Sequence, residues 1–352
     1  MVNIVKREDC TKVNAFTIKI IAIILALVTS SIIIIALGYN PLEVLVQIFQ
    51  GAFGSANKIK RTLVDAIPLL GAAIGISYAF RMKFWNIGGN GQILMGGLGA
   101  TLVALNCTGL NKILVLVLMF VVATLFGGLW GLIAGITKVK FNANETIVTL
   151  MLNYIAEKLI MYLQFGPLRD KSAQGFQKIA SFSDAARLPS LFGVHIGWII
   201  VLVLVIIYGV YIKKSKSGFE AMVIGEGENT AKYSGIKISK TVLKTIFISG
   251  AICGIVGFTQ AAGVSHTLNV DLAANAGSTG IIIAWLANLS PVAMTIVSIL
   301  FAGLVCGGNN IQIVFGIPNA VSLVIQALIL FFVLGSQFFI DYRVIFKRKE
   351  NA

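Results

Sequence analysis

The sequence predicts an all-α polytopic membrane protein, and three observations carry that prediction. Of 352 residues, 57% are hydrophobic and only 12% charged, about half the charge of an average soluble chain. Mean hydropathy is +0.90. Several stretches with almost no charge reach the length of about 20 residues that a helix needs to cross a bilayer. A soluble enzyme, a nucleic-acid-binding domain and a disordered chain are thereby excluded. The net charge of +14, from 28 Lys and Arg against 14 Asp and Glu, reads as basic loops held beside anionic membrane lipid, not as a nucleic-acid surface. Cys10, Cys107, Cys253 and Cys306 are scattered and read as free thiols, and His195 and His266 are too few for a zinc site. No metal or other cofactor is expected.

Ten spans follow in order, at 16–37, 62–80, 87–106, 113–136, 146–164, 194–212, 242–263, 273–289, 292–308 and 320–340. The first begins among Lys6, Arg7, Lys12 and Lys19, as a signal peptide would. Its apolar run is too long for one and no A-x-A site follows, so it is expected to stay uncleaved. After it, Pro41–Phe53 sets Leu42, Leu45, Val46, Phe49 and Phe53 on one helical face, as expected of a helix lying along the outer surface. The stretch 273–308 is divided near Pro291, because a single helix there would move the Lys347-Arg348-Lys349 tail to the other side. Orientation comes from the basic residues. With both termini cytoplasmic, the N-terminal group, Arg81 and Lys83, Lys138 and Lys140, seven lysines within 213–244, and the C-terminal group all lie inside. The segment 165–193 is then extracytoplasmic. Its Arg169, Lys171, Lys178 and Arg187 outnumber Asp170 and Asp184, which fits either a surface that steers an acidic partner or a merely solvated loop.

The chain also resembles itself. Leu125-Phe126-Gly127-Gly128-Leu129 parallels Leu300-Phe301-Ala302-Gly303-Leu304, Gly88-Gly89-Asn90-Gly91 parallels Gly277-Ser278-Thr279-Gly280, and Phe141 before Asn144 parallels Phe315 before Asn319. Spans 2–5 and 7–10 therefore read as an inverted internal repeat, with a substrate path at the repeat interface. The matched junctions, around Asn86, Asn90 and Gln92 and around Asn275, are rich in Gly, Asn and Gln. Irregular backbone at membrane depth survives where it lines a wet cavity or is buried in protein. Broken helices presenting amides to a polar solute satisfy that condition. So do glycines that permit close helix packing, with amides that cap helices.

Deep ionisable residues, which mark proton or ion relays, are nearly absent. Asp65, Glu157 and Lys158 all stand near the outer ends of their spans. A secondary carrier is disfavoured, and energy is expected from a partner. A membrane enzyme acting on lipid-linked substrates would want clustered Asp, Glu or His at an interface, and no such cluster occurs. The segment 213–241 is the long cytoplasmic piece. Within it, Glu228 or Asn229 is expected to cap a short helix that Gly235 ends, with Gly225 and Gly235 each adopting a positive φ. Neither GxxxxGK[ST] nor GxGxxG is complete around Gly225 and Gly227, so the chain carries no ATP-binding loop. A short polar helix here suits docking onto a separate ATPase, as Glu220, Glu226 and Glu228 would allow, or else is a solvated loop.

These residues are similar to a known family. Asn86-Ile87-Gly88-x-x-Gly91-Gln92, the run Asn144-Glu145-Thr146-Ile147-x-Thr149-Leu150-Met151-Leu152-Asn153, Gly166-Pro167-Leu168-Arg169-Asp170, Gly218-Phe219-Glu220 and Tyr233-Ser234-Gly235-Ile236 resemble bacterial ABC importer permeases. Thr279-Gly280-Ile281, Ala284-Trp285-Leu286 and Gly316-Ile317-Pro318 extend the resemblance from Pro41 to about Gln337. Within the branched-chain amino acid, ribose and nucleoside superfamily, it most resembles the larger permease of nucleoside uptake systems. The resemblance implies ten spans with an inverted repeat, a smaller partner permease, a cytoplasmic ATPase, and a surface lipoprotein or periplasmic protein that delivers nucleosides, purines foremost. Ribose or another simple sugar is the alternative cargo. The sequence departs from the family where Asn90 replaces an acidic residue, where Ala287-Asn288 replaces Gly-Arg, and at the extra Glu226-Gly227. These departures bear on selectivity and on the docking helix. Asn86, Asn90, Gln92, Asn153, Asn275 and Asn288 become the candidate pathway residues. Asn144 and Glu145 are expected to gate or cap a cytoplasmic junction. Glu220, Gly225, Glu226, Glu228, Asn229 and Gly235 are expected to couple to the ATPase. Phe84 and Trp85 fit nucleobase stacking or an interfacial aromatic belt.

Overall fold

The computed structural model describes residues 2–6, 12–107, 109–170, 173, 177–316 and 319–346. Arg7, Cys10, Lys171, Ile317, Pro318 and the Lys347-Arg348-Lys349 tail lie outside the described residues. The chain is helical nearly throughout. In order it forms β1 (Val2–Lys6), α1 (Lys12–Ala36), α2 (Pro41–Phe53), α3 (Ala56–Phe80), α4 (Gly89–Asn106), α5 (Lys112–Phe141) and α6 (Glu145–Phe165). It continues through β2 (Ser190–Leu191), β3 (Val194–His195), α7 (Gly197–Lys214), α8 (Lys216–Glu226), α9 (Glu228–Tyr233) and α10 (Ile238–Gln260). The last elements are α11 (Ala276–Leu286), α12 (Pro291–Phe315), α13 (Asn319–Asp341) and β4 (Tyr342–Phe346).

Each of the ten predicted spans coincides with a helix. Among the described residues, six helices are long and apolar enough to cross a membrane by length and composition, and the bent pair of α1 and α2 makes a seventh if counted as one span. The 114° bend between α1 and α2 turns α2 away from the line of α1. The glycines and amides that open α4 make it too polar to count, and the 11 residues of α11 rise only about 16 Å, half a hydrocarbon core. The break expected near Pro291 is present: Asn288 and Leu289 adopt left-handed φ values of 52° and 56°, and Pro291 opens α12 where its missing N–H costs nothing.

The chain packs as two compact units, one from residues 1–62 and 301–352, the other Leu63–Leu300. In the first, Ile34, Val44, Ile311 and Ile325 form a buried cluster. Asn310 ties α12 to α2 by donating to the Gln47 carbonyl at 3.0 Å. The outward face of α2 carries exposed Leu42, Val46 and Phe49. Strands β1 and β4 pair antiparallel, Val2 opposite Phe346 through Lys6 opposite Tyr342.

The second unit is organised by α4, α5 and α10. Their backbones approach through glycine: a Cβ placed on Gly96 would strike Gly254, and one on Gly127 would strike Gly250 and Gly254. Small residues let helices approach this closely where apolar burial alone gives no drive for association. The segment after α6 is folded down rather than free. Ile179, Phe182 and Ala186 are buried, and the Phe182 and Leu188 amides donate to the carbonyls of His266 and Ala262 at the end of α10.

Candidate functional site

Two helix starts meet inside the second unit. Leaving α3, the chain turns at Lys83, whose φ is 55°, runs through 84–88 and enters α4 at Gly89. Leaving α10, it passes a π turn at Ala261–Ser265 and a 3-10 turn at Val270–Ala273. It then takes left-handed φ values at Ala274 and Asn275 (41° and 58°) before α11 begins. Asn90 joins the two starts. Its Oδ1 accepts from the Gly277 amide at 2.8 Å, and its Nδ2 donates to Ser278 Oγ at 3.0 Å. Gly89 and Gly277 are in van der Waals contact, and a Cβ on Gly277 would collide with the Gly89 and Asn90 backbone. The positive ends of two helix dipoles therefore converge on one spot.

Asn86, Gln92 and Asn153 around this meeting are all paired. Asn86 is fully buried; its Nδ2 donates to Ser249 Oγ of α10 at 3.0 Å, and its Oδ1 accepts from Gln92 Nε2 at 3.2 Å and from the Gly88 amide at 3.0 Å. From α6, Asn153 Oδ1 accepts from the Gly91 amide at 2.7 Å, and Asn153 Nδ2 donates to the Ile87 carbonyl at 2.9 Å. Thr149, one turn earlier, accepts from the Ile87 amide at 3.1 Å. These bonds satisfy backbone groups that irregular chain would otherwise leave orphaned.

The structure thus brings Asn86, Asn90, Gln92 and Asn153 together, with Asn275 beside them at the start of α11, exposed and making no cap bond. Asn288 stands apart, exposed beyond the other end of α11. Asn144 caps α6, accepting from the Thr146 and Ile147 amides at 3.0 and 3.3 Å, and Glu145 pairs with Lys138 at 2.9 Å, so both steady the α5–α6 corner. Phe84 is neither an exposed stacking ring nor part of a belt: it is buried with Met82, Leu152, Ala221 and Ile224. Trp85 stacks on Trp285 with centroids 5.4 Å apart and an interplanar angle of 17°.

Sequence reading missed Thr149, Ser249 and Ser278. Thr149 carried a signal, since it lies four residues before Asn153 on the same helical face. Ser249 carried none, as its partner Asn86 is distant in sequence, and Ser278 was marked only as part of the internal repeat.

The segment 213–241 forms two helices, α8 and α9, rather than one. Gly227, not Glu228 or Asn229, occupies the N-cap position of α9. Gly235 has a left-handed φ of 71° as expected. Gly225 does not: it lies within α8 and abuts the Arg81 carbonyl, where a Cβ would collide. Ala221, Ile224 and Ala231 bury against Met82 and Phe84, and Glu220 accepts from Thr241 Oγ1 at 3.1 Å. Glu226, Glu228, Asn229 and Tyr233 are left exposed. The outward face of the segment is free, while its inward face grips the turn that leads to Asn86.

A family model described as the permease component of the branched-chain amino acid transport system matches residues 58–334. Among individual proteins, the glucose ABC transporter permease of Haloferax volcanii is 31% identical, with 96% of this chain and 92% of the relative aligned. The guanosine ABC transporter permease of Bacillus subtilis is 30% identical over 92% of this chain and 94% of its own length. The nucleoside ABC transporter permease NupB of Lactococcus lactis is 28% identical over 92% and 91%.

Proposed function

The chain belongs to the family of branched-chain amino acid transport system permease components, and on that premise we propose that it forms the membrane path for nucleosides. It is the permease subunit of an ABC importer, a multi-pass plasma-membrane protein that works with an ATPase and a substrate-binding protein. The subunit is a transport component rather than an enzyme. The observation that carries the nucleoside reading is full-length similarity to two permeases named for guanosine and nucleoside transport. In this reading the chain crosses the membrane ten times as two inverted repeats with both termini cytoplasmic. It pairs with a smaller permease and takes its cargo from a surface lipoprotein or periplasmic protein.

The junction joined by Asn90 is the moving part. Force applied to α8 by the ATPase passes through Ala221, Ile224 and Gly225 to the turn at 81–84. From there it reaches Asn86 and the start of α4. Asn86, Gln92 and Asn153 hold that loop in register, and Asn90 transmits its displacement to α11. The cargo passes beside the two converged helix starts, whose dipoles favour electron-rich carbonyl and hydroxyl oxygens. Asn275 and Asn288 flank the path at the two ends of α11. Exposed Glu226, Glu228 and Asn229 meet the ATPase.

Glucose is the second reading, favoured by the similarity to the Haloferax volcanii permease. Uptake of labelled purine nucleosides, pyrimidine nucleosides, ribose and glucose by a strain lacking this gene decides between them. Loss of guanosine or adenosine uptake with glucose uptake intact is the expected result. Loss confined to a sugar would overturn the nucleoside assignment and leave the family assignment standing.

A further inference from the structure

We propose that the cavity bordered by the α3–α4 turn, α8 and the end of α11 is a regulatory site for a nucleoside monophosphate, an inference that rests on the nucleoside reading. The cavity measures about 480 Å³ and is lined by Phe80, Arg81, Lys83, Trp85, Glu226 and Trp285 among others, a size suited to a small metabolite. Three features define its ligand.

The first is the aromatic wall. Trp85 and Trp285 stack on each other, with Phe80 5.6 Å from Trp85, yet remain 44% and 45% exposed. Such a wall accepts a flat heterocycle by stacking. The second is charge. Arg81 and Lys83 line the cavity with one carboxylate, Glu226, an excess of one positive charge. Arg81 Nε is buried and finds no acceptor among the described residues, and a guanidinium in that position suits a phosphate. A neutral nucleoside would use the wall and leave the cations unused; its 5′-phosphate engages both. The third is backbone strain. Lys83, Asn288 and Leu289, all lining the cavity, are three of the eight non-glycine residues with positive φ among the described residues. Strain of this kind gathers at ligand sites and switches.

Position explains the consequence. The cavity wall includes Met222, Gly225 and Glu226 of α8, and Gly225 rests on the Arg81 carbonyl. A ligand held by Arg81 and stacked on the indoles pins α8 to the turn that carries Asn86. An imported nucleoside, once phosphorylated by a kinase, would then slow its own uptake from the side of the membrane where it accumulates.

Two of the four tryptophans line the cavity, so binding is readable by fluorescence of the full-length permease in nanodiscs. Guanosine monophosphate should quench saturably, with a Kd about tenfold or more below that of guanosine, and inorganic phosphate alone should not quench. Arg81→Gln should erase the preference for the nucleotide while leaving guanosine binding in place. Lys83→Gln should weaken it severalfold, which keeps the test decisive if Arg81→Gln folds poorly. In the complex reconstituted with its ATPase, the nucleotide supplied on the ATPase side should lower uptake in the wild type. The site is overturned by absence of saturable quenching through millimolar concentrations, by equal affinity for nucleotide and nucleoside, or by a preference unchanged in both variants. Binding that disappears once the ATPase is assembled would assign the cavity to a subunit contact and overturn the regulatory role. Because binding is read on the permease itself, a panel showing sugar uptake would refute the cargo assignment without erasing a measured nucleotide site. Nucleoside uptake without nucleotide preference would refute this site alone.

Discussion

Asn90 caps α11 from a distance, accepting from the amide of Gly277, 187 residues after it, in the manner of a local N-cap. An acidic residue in its place, as the family resemblance implies is usual, would supply the same acceptor and a negative charge against the α11 dipole. Asn90→Asp is therefore expected to retain uptake with an unfolding temperature at or above wild type. Asn90→Leu strands the Gly277 N–H inside protein, which costs about 1–3 kcal/mol, and is expected to lower the unfolding temperature and abolish uptake. Asn153→Leu strands both the Gly91 amide and the Ile87 carbonyl and should lower stability by on the order of 2 kcal/mol. Thermal unfolding of the purified variants, set beside whole-cell uptake, checks all three. Wild-type stability and uptake in Asn90→Leu would show that the two helix starts do not depend on that bond. The amides themselves were legible in the sequence, because polar side chains in an apolar run ask for a reason. Their partners were not, since Asn86 reaches Ser249 across 163 residues and no local pattern encodes that distance.

Among the elements, α8 and α9 show where local reading stops. Glycine, acidic and amide residues in 213–241 signalled a short helix ended by Gly235, and Gly235 does carry the left-handed φ that ends one. The same signals could not separate α8 from α9. The two glycines differ in what they require: Gly235 requires a conformation, whereas Gly225 requires room beside the Arg81 carbonyl, a tertiary constraint. Valine tests that difference. At Gly235 it meets open space but an unfavourable backbone, a cost of about 1–2 kcal/mol. At Gly225 it must push α8 off the turn that leads to Asn86. Gly225→Val is expected to insert normally yet lose stimulation of ATP hydrolysis by the loaded binding protein, while Gly235→Val keeps part of it. ATPase assays on the reconstituted complex, with and without loaded binding protein, read both variants. Full stimulation in Gly225→Val would mean that force enters elsewhere, with the Lys138–Glu145 corner next to be tested. The glycines of α4, α5 and α10 were legible only as an open choice between pathway and packing; contacts such as Gly96 against Gly254 show what they do for packing.

For the whole molecule, hydropathy located a helix for every predicted span, because apolar length is a local property of the chain. It could not reveal that α11 is half the usual length or that α4 begins against it, since both follow from contacts between distant segments. The paired termini add a constraint that hydropathy lacks. Strands β1 and β4 share a ladder, and the reading proposed above, with both termini on one side and an even number of crossings, agrees with that pairing. The pairing leaves the direction open, and the proposed direction rests on the basic residues: it sets Arg81, Lys83, Lys138, Lys140 and the lysines of α7–α10 on the cytoplasmic side. Single cysteines read by a membrane-impermeant maleimide test the direction and the crossing at α7 together, in a background freed of Cys10, Cys107, Cys253 and Cys306. Tyr233→Cys on α9 and Phe192→Cys between β2 and β3 suit the purpose, because Tyr233 is 93% and Phe192 81% exposed. In intact cells Phe192→Cys should label and Tyr233→Cys should not; in inverted vesicles the pattern should reverse. One crossing, α7, separates the two sites, so labelling of both from one side would remove α7 as a span. The reverse pattern would turn the molecule over and place α8, α9 and the cavity behind them on the face away from any ATPase.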